Sequence, residues 1–217
     1  MTLTLSEHES KRLLEEAGIP IPKERLVEGA TEAVEAAEKF GYPVVLKLCG
    51  RGIAHKSERN LVRVGLADDG EVRGEAEDLL SLRDPSEQDA RVLVQPLIRG
   101  RREIIAGLVR DAQFGPCVML GLGGIFAEAL ADVAFAVAPL GPHDADDLIE
   151  ALSCRRVLGE FRGEGPVDRR KLGEILVRLG RIGLDRPDVV SIDINPIVVN
   201  GVDPVVVDAL VELDAPP

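Results

Sequence analysis

Toward its C-terminal end the chain reads Asp193-Ile194-Asn195-Pro196-Ile197-Val198-Val199-Asn200-Gly201 and continues to Val205-Val206-Val207-Asp208. Asn-Gly between two β-branched runs is the strongest short-range hairpin signal a sequence offers. Side chains two apart on a strand share a face, so Asp193 and Asn195 point the same way. With Asn200-Gly201 at the turn centre, Asp208 falls opposite Asp193. A turn two residues longer sets Asp208 opposite Asn195 instead. Either register gathers two carboxylates and a carboxamide oxygen on one patch of sheet. Like charges across a strand pair repel, so the patch calls for a cation. A small set of hard oxygen ligands suits Mg²⁺ shared with substrate phosphates. The plain alternative is the solvated polar face of an edge hairpin.

A second group of residues has the chemistry of phosphate handling. Twenty of the basic residues are Arg and only six are Lys, which draws notice to Lys47 and Lys56. Lys47 closes the apolar run Pro43-Val44-Val45-Leu46, at the mouth of the loop Gly50-Arg51-Gly52-Ile53-Ala54-His55-Lys56-Ser57. That loop nearly matches the P-loop pattern, with His55 in place of the second glycine. A true P-loop is excluded, because its backbone nest needs glycine there and the segment after Ser57 reads as a strand. A neutral imidazole is nonetheless a competent phosphoryl acceptor near pH 7. Gly121-Leu122-Gly123-Gly124 permits close backbone approach to a ligand or makes a tight turn. Glu103 is a candidate second acidic group near the metal, or a partner of the neighbouring arginines. Arg162 lies in a glycine-bracketed loop, either solvated or placed to meet developing phosphoryl charge.

The whole composition narrows the setting. A chain of 217 residues with 45% hydrophobic and 29% charged residues has the make-up of a globular domain with a sizeable core. The net charge of −12 argues against a nucleic-acid surface. No apolar run approaches a membrane span and the N-terminus has no signal-peptide pattern, so the expected location is cytoplasmic. Cys49, Cys117 and Cys154 form no CxxC spacing and read as buried apolar thiols.

These residues need elements to hold them. Ser6-Glu7-His8-Glu9 is a capping box for a helix carrying Leu13, Leu14 and Ala17 and stopped by Gly18. Thr31 is the expected cap of a second helix ended by Gly41. Strands come next at 42–47 and 61–66, then a helix at 71–82 and strands at 91–97 and 103–110. Beyond a turn at 111–115, strands are expected at 116–120 and 132–138, with a helix near 143–152. Asp168 caps a long helix with Leu172, Ile175, Leu176, Leu179 and Ile182 at helical spacing. The hairpin closes the chain. Helices and strands mix in an α+β manner, and Arg99–Arg102 is a candidate boundary between lobes.

Taken in order, these segments resemble the ATP-grasp β subunit of ADP-forming acyl-CoA synthetases, relatives of succinyl-CoA synthetase. The likeness rests on Gly41–Lys47, Gly52–Ser57, Val94-Gln95, Glu103–Gly107 leading to Phe114–Pro116, and Gly121–Ile125 with Glu128 and Asp132–Ala134. It ends with Phe161–Gly163, Asp168, Asp193–Pro196 and Asp208. The resemblance implies an ATP-grasp fold of two α+β lobes with the nucleotide site between them. The small lobe is expected at 20–97 and the larger at 1–19 with 98–217. It implies ATP/ADP and Mg²⁺ as cofactors. Lys47 is expected at the nucleotide phosphates, Val94, Gln95 and Leu97 at the base, and Asp193, Asn195 and Asp208 at Mg²⁺. Gly52, Glu103, Gly123 and Gly124 complete the expected nucleotide site. His55 falls on the family's mobile-loop histidine, which relays phosphate to a partner, and Arg162 is the second expected catalytic residue. That partner is a CoA-binding α subunit; carboxylic acid, phosphate and CoA are substrates of the resulting hetero-oligomer, with no role for nucleic acid or membrane. Three positions depart from the family pattern: Asn60-Leu61 replaces Gly-Gly after the histidine loop, and Leu97 stands where Met is common. The Asn60-Leu61 change motivates an alternative reading as a catalytically impaired or regulatory nucleotide-binding homologue. A stand-alone carboxylate–amine ligase is disfavoured, since no acceptor-binding extension is evident.

Overall fold

The computed structural model describes residues 2–53, 56, 58–124, 132–161 and 163–214. In chain order its elements are β1 (Thr2–Thr4), α1 (Glu7–Glu16), β2 (Arg25–Val27), α2 (Ala30–Phe40), β3 (Val44–Cys49), β4 (Val62–Leu66), α3 (Asp69–Ser81) and β5 (Arg91–Pro96). Next come β6 (Glu103–Asp111), β7 (Gly115–Leu122), β8 (Val133–Val137), α4 (Pro142–Glu150), α5 (Arg169–Asp185), β9 (Val189–Asn200), β10 (Asp203–Val206) and β11 (Ala209–Asp214). The chain divides into two compact units, a smaller one of residues 4–10 and 22–97 and a larger one of 1–3, 11–21 and 98–217. Among the described residues no helix is long and apolar enough to cross a membrane.

The smaller unit is a four-stranded antiparallel sheet in the order β2-β5-β3-β4. Alternation decides its faces. Val44, Leu46 and Leu48 of β3 and Val92 and Val94 of β5 pack with Ala33, Ala37, Val72, Ala76 and Leu79 of the two helices. The intervening residues Val45, Lys47, Leu93 and Gln95 therefore point to the other face, and they too are buried. The helix caps reflect local hydrogen-bond supply. Ser6 and Glu9 form the expected capping box, with the Ser6 N–H donating to Glu9 Oε2 at 2.9 Å and the Glu9 N–H to Ser6 Oγ at 3.3 Å. α2 differs from expectation: its N-cap is Gly29, not Thr31. The Glu32 carboxylate accepts the Glu28 N–H at 2.9 Å and so serves the helix start without a capping side chain. Asp68 caps α3 by accepting the Glu71 N–H, and the helix begins two residues before the expected Glu71.

The larger unit is built on a seven-stranded sheet in the order β1-β11-β9-β6-β7-β8, with β10 also paired to β9. The apolar face of α5 packs closely on it: a Cβ at Gly183 would lie 2.6 Å from Pro116 Cβ and 2.9 Å from Leu108 Cδ1. Only glycine lets the helix come so near. Leu108, Val118, Ile192 and Ile194 are all buried, with Leu108 and Val118 on the helix side. The residues between them on β9 belong to the opposite, open face. Asp168 accepts the Lys171 N–H at 3.0 Å and caps α5 as expected. The three-residue strands β1 and β2 and the six-residue β11 were not evident in the sequence. β11 exists because β9 is twelve residues long and takes two antiparallel partners in succession, β10 and then β11.

Candidate functional site

In the larger unit the hairpin takes the second of the two expected registers, reached by moving a two-residue turn along by one position and not by lengthening it. Asp203 pairs with Asn200 and Val206 with Ile197, so Gly201-Val202 form the turn. Ala209 opposite Ile194 and Leu210 opposite Asp193 keep the same register beyond Val207 and Asp208. Asp208 accordingly comes level with Asn195, not with Asp193. Asp193 and Asn195 are exposed while Ile192 and Ile194, which alternate with them, point inward. The Asp193 carboxyl is raised above its ordinary value, first by the dehydrating surroundings of the sheet and then by the charge of Asp208. Two carboxylates that feel one another beside a carboxamide oxygen are a donor set for a hard divalent cation. Among the described residues no group of three or more His, Cys, Asp or Glu side chains forms a metal cluster, so a cation here would rely on Asn195 and on outside ligands.

The neighbouring strand adds to this face. Gly107 of β6 lies opposite Asp193, and a Cβ there would come 2.7 Å from the Ile192 carbonyl oxygen. At the end of β6, Ile104 and Ile197 are paired and buried, which turns Glu103 and Val198 to the other face, where Glu103 is exposed and Val198 is buried. The Gly123 N–H donates to the Glu103 carbonyl at 2.8 Å. Gly124 takes a φ of 82°, and a Cβ there would lie 3.8 Å from Glu103 Oε2. Glu103, Gly123, Gly124, Asp193 and Asn195 thus belong to one face of one sheet and its edge turn.

The smaller unit gathers a different set. Lys47 on β3 pairs with Leu93 of β5, and Val45 with Gln95. Lys47 and Gln95 therefore share a face with Leu93, which the sequence did not single out. Val94 faces the helices, so its side chain belongs to the core and only its backbone is available to a ligand. Leu97 comes directly after β5, half-buried, with its N–H donated to the Pro43 carbonyl at 3.1 Å. Gly52 sits exposed in the loop after β3 at a φ of 78°. Against Lys47 lies a residue missed from sequence: Glu7 Oε1 accepts from Lys47 Nζ at 2.7 Å, and Glu7 Oε2 is 2.8 Å from Lys56 Nζ. All three side chains are nearly excluded from solvent. Nothing in the sequence joins Glu7 to a lysine forty positions on, since a glutamate in the first turn of a helix is ordinary there.

His55 and Arg162 lie outside the described residues. After Lys56, Asn60 adopts a φ of 56°, supplying the left-handed backbone that glycine gives in the family pattern. Leu61 turns its side chain into the small-unit core and is 1% exposed. Its N–H donates to the Lys56 carbonyl at 2.8 Å. The Asn60-Leu61 departure is thus accommodated by one residue that tolerates the turn and one that fills the core. Near Arg162 in sequence, the loop is held by Arg102. Its buried guanidinium donates to the carbonyls of Gly159 (3.1 Å), Gly165 (2.8 Å) and Gly201 (3.1 Å) and to Glu164 (3.1 Å). It ties the loop flanking Arg162 to the hairpin turn. In sequence Arg102 looked like one more cation in a polar connector.

A profile of the ATP-grasp domain matches residues 2–213. The chain belongs to the ATP-grasp family. It is 38% identical over 208 residues to the β subunit of ADP-forming acetate–CoA ligase I of Pyrococcus furiosus, covering 94% of this chain and 90% of that one. It is 37% identical over 198 residues to the ADP-forming 4-hydroxybutyrate–CoA ligase of Nitrosopumilus maritimus, covering 90% of this chain but only 28% of that longer protein. Among solved structures it is similar to the dinucleotide-forming acetyl-coenzyme A synthetase 1 of Ca. Korarchaeum cryptofilum in complex with coenzyme A and Ca-AMPCP. The TM-score is 0.91 at 38% identity, over 98% of this chain and 94% of that one. A second structure of that protein holds coenzyme A and Mg-AMPPCP, with a phosphohistidine segment pointing towards the nucleotide-binding site. It matches at a TM-score of 0.83 and 37% identity, over 96% of this chain and 92% of that one.

Proposed function

We propose that this chain is the nucleotide-binding β subunit of an ADP-forming acyl-CoA synthetase. With a CoA-binding α subunit it would interconvert acyl-CoA, ADP and phosphate with carboxylic acid, CoA and ATP. The observation that carries this reading is the nearly end-to-end match to an acetate–CoA ligase β subunit, 94% of one chain on 90% of the other. Lys47, the hairpin residues Asp193, Asn195 and Asp208, and the Gly123-Gly124 turn are the groups on which this reading depends.

The roles derive from the chemistry of each group. Asp193, Asn195 and Asp208 would hold Mg²⁺, and their fit is supported by the mutual charge that raises the Asp193 carboxyl. When bound, the ion supplies positive charge to the nucleotide phosphates. Lys47 would hold a phosphate with a point charge on a buried stem. The backbone of Val94 with Gln95 and Leu97 would meet the base, and Glu103 with the Gly123-Gly124 turn would border the polyphosphate. His55, in the loop after Gly52, would take the phosphoryl group on an imidazole nitrogen as the P–N bond to the α subunit's histidine breaks. It would then release the group to the terminal oxygen of ADP. Arg162 would meet the charge of the transferring group.

The test is acyl-CoA-dependent ATP formation from ADP and phosphate on mixing this chain with a CoA-binding subunit. Turnover is expected to require both chains and to fall by about 10³-fold or more in His55→Ala. A His55→Ala enzyme with full activity removes the relay role, and absence of turnover with every such partner removes the enzyme reading.

A further inference from the structure

We infer that Glu7 is a positioning residue for phosphate binding, its buried carboxylate fixing the ammonium groups of Lys47 and Lys56 in one cluster. The inference deepens the proposed function and rests on it, since Lys47 is the phosphate lysine of that reading. One oxygen of Glu7 holds Lys47 Nζ at 2.7 Å and the other lies 2.8 Å from Lys56 Nζ. The side chains are 1%, 6% and 9% exposed, so the attraction is little screened. A lysine stem has large rotamer freedom, and a ligand that must order it binds more weakly. A stem already held by a buried carboxylate avoids that loss, which is the general advantage of preorganisation.

Glu7 does more than hold one stem. Lys47 ends an apolar stretch of β3, while Lys56 lies next to His55 in the loop. The first turn of α1 grips that loop at both sides: Glu9 takes the Arg51 guanidinium, with Arg51 Nη2 at 2.6 Å and Nε at 2.9 Å from Glu9 Oε1, and Glu7 takes Lys56. Both carboxylates project from a helix start fixed by the Ser6–Glu9 capping box. One short rigid element thereby sets the phosphate lysine and the two flanks of the histidine loop together. A merely structural ion cluster would support folding but would have no reason to be coupled energetically to nucleotide binding through Lys47.

The experiment is a double-mutant cycle on Mg·ADP binding by calorimetry with the full chain, comparing wild type, Glu7→Gln, Lys47→Met and the pair. Glu7→Gln is expected to raise the Kd for Mg·ADP about tenfold or more, with Glu7→Asp in between. In the Lys47→Met background Glu7→Gln should add less than about twofold, because the residue acts through that lysine. Circular dichroism reports folding of each variant. If Glu7→Gln does not fold, Glu7→Gln with Lys56→Met removes one charge of each sign and still leaves Lys47 unanchored, with the same rise in Kd expected. A folded Glu7 variant with wild-type affinity, or a full independent loss in the Lys47→Met background, overturns the role of Glu7 alone. A wild-type chain that does not bind Mg·ADP overturns the nucleotide reading, and this inference with it.

Discussion

Two carboxylates show how single residues here answer to their surroundings in opposite senses. Glu9 is held down to about 2 from an ordinary 4.5, chiefly by its hydrogen bonds from the Arg51 side chain. A folded value below the unfolded one means that the unfolded chain binds the proton more tightly. The stabilisation is therefore complete above the ordinary carboxyl range and lost as pH falls toward 2. Glu9→Gln should lower the urea midpoint at pH 7 and approach wild type as pH drops through that window. Asp193 is the reverse. Its raised carboxyl means the folded protein binds the proton more tightly, so the ionised form opposes folding increasingly as pH rises through the carboxyl range. Asp193→Asn should melt higher than wild type at pH 7 in EDTA, with the difference shrinking as pH falls. Added Mg·ADP should stabilise wild type strongly and the variant little. Equal stabilisation of both would remove Asp193 from the cation site.

Elements, more than single residues, determined what could be read in advance. The helices carried by capping chemistry and periodic apolar residues, α1 and α5 above all, were legible, because local hydrogen bonds and one buried stripe define them. α2 started elsewhere because a glutamate in its first turn, not a capping side chain, satisfied the preceding backbone N–H. β11 was hidden because its partner is a strand already committed to β10, and only a twelve-residue β9 makes room for both. The loop closing at Asn60-Leu61 gives an element-scale prediction. Asn60 takes the left-handed turn at a φ of 56°, and Leu61, 1% exposed, fills the core beside it. Asn60→Gly should shift stability by less than about 1 kcal/mol, whereas Asn60→Ala should cost about 1–2 kcal/mol. Leu61→Ala should cost about 2–5 kcal/mol, as for other buried leucines. Urea midpoints measured on the three variants check this; a tolerated Leu61→Ala would mean the side chain is not part of the core.

At the scale of the whole molecule, the family was legible from segments spread from Gly41 to Asp208, and the ATP-grasp profile matches residues 2–213. The candidate hairpin could be built from strand arithmetic alone, but its register could not, since the glycine can take either the second or the first place of a two-residue turn. Buried ionic contacts stayed invisible for a physical reason. Glu7 with Lys47, and Arg102 with the carbonyls of Gly165 and Gly201, join residues far apart in sequence. No local pattern records such pairs. The proposed function therefore stands on whether the assembled groups move a phosphoryl group between nucleotide and partner. The most direct measurement is transfer of label from [γ-³²P]ATP with Mg²⁺ to a CoA-binding subunit mixed with this chain. The predicted result is an acid-labile, alkali-stable histidine phosphate on that subunit, dependent on this chain and absent with His55→Ala. Tight Mg·ADP binding without any such label would contradict it.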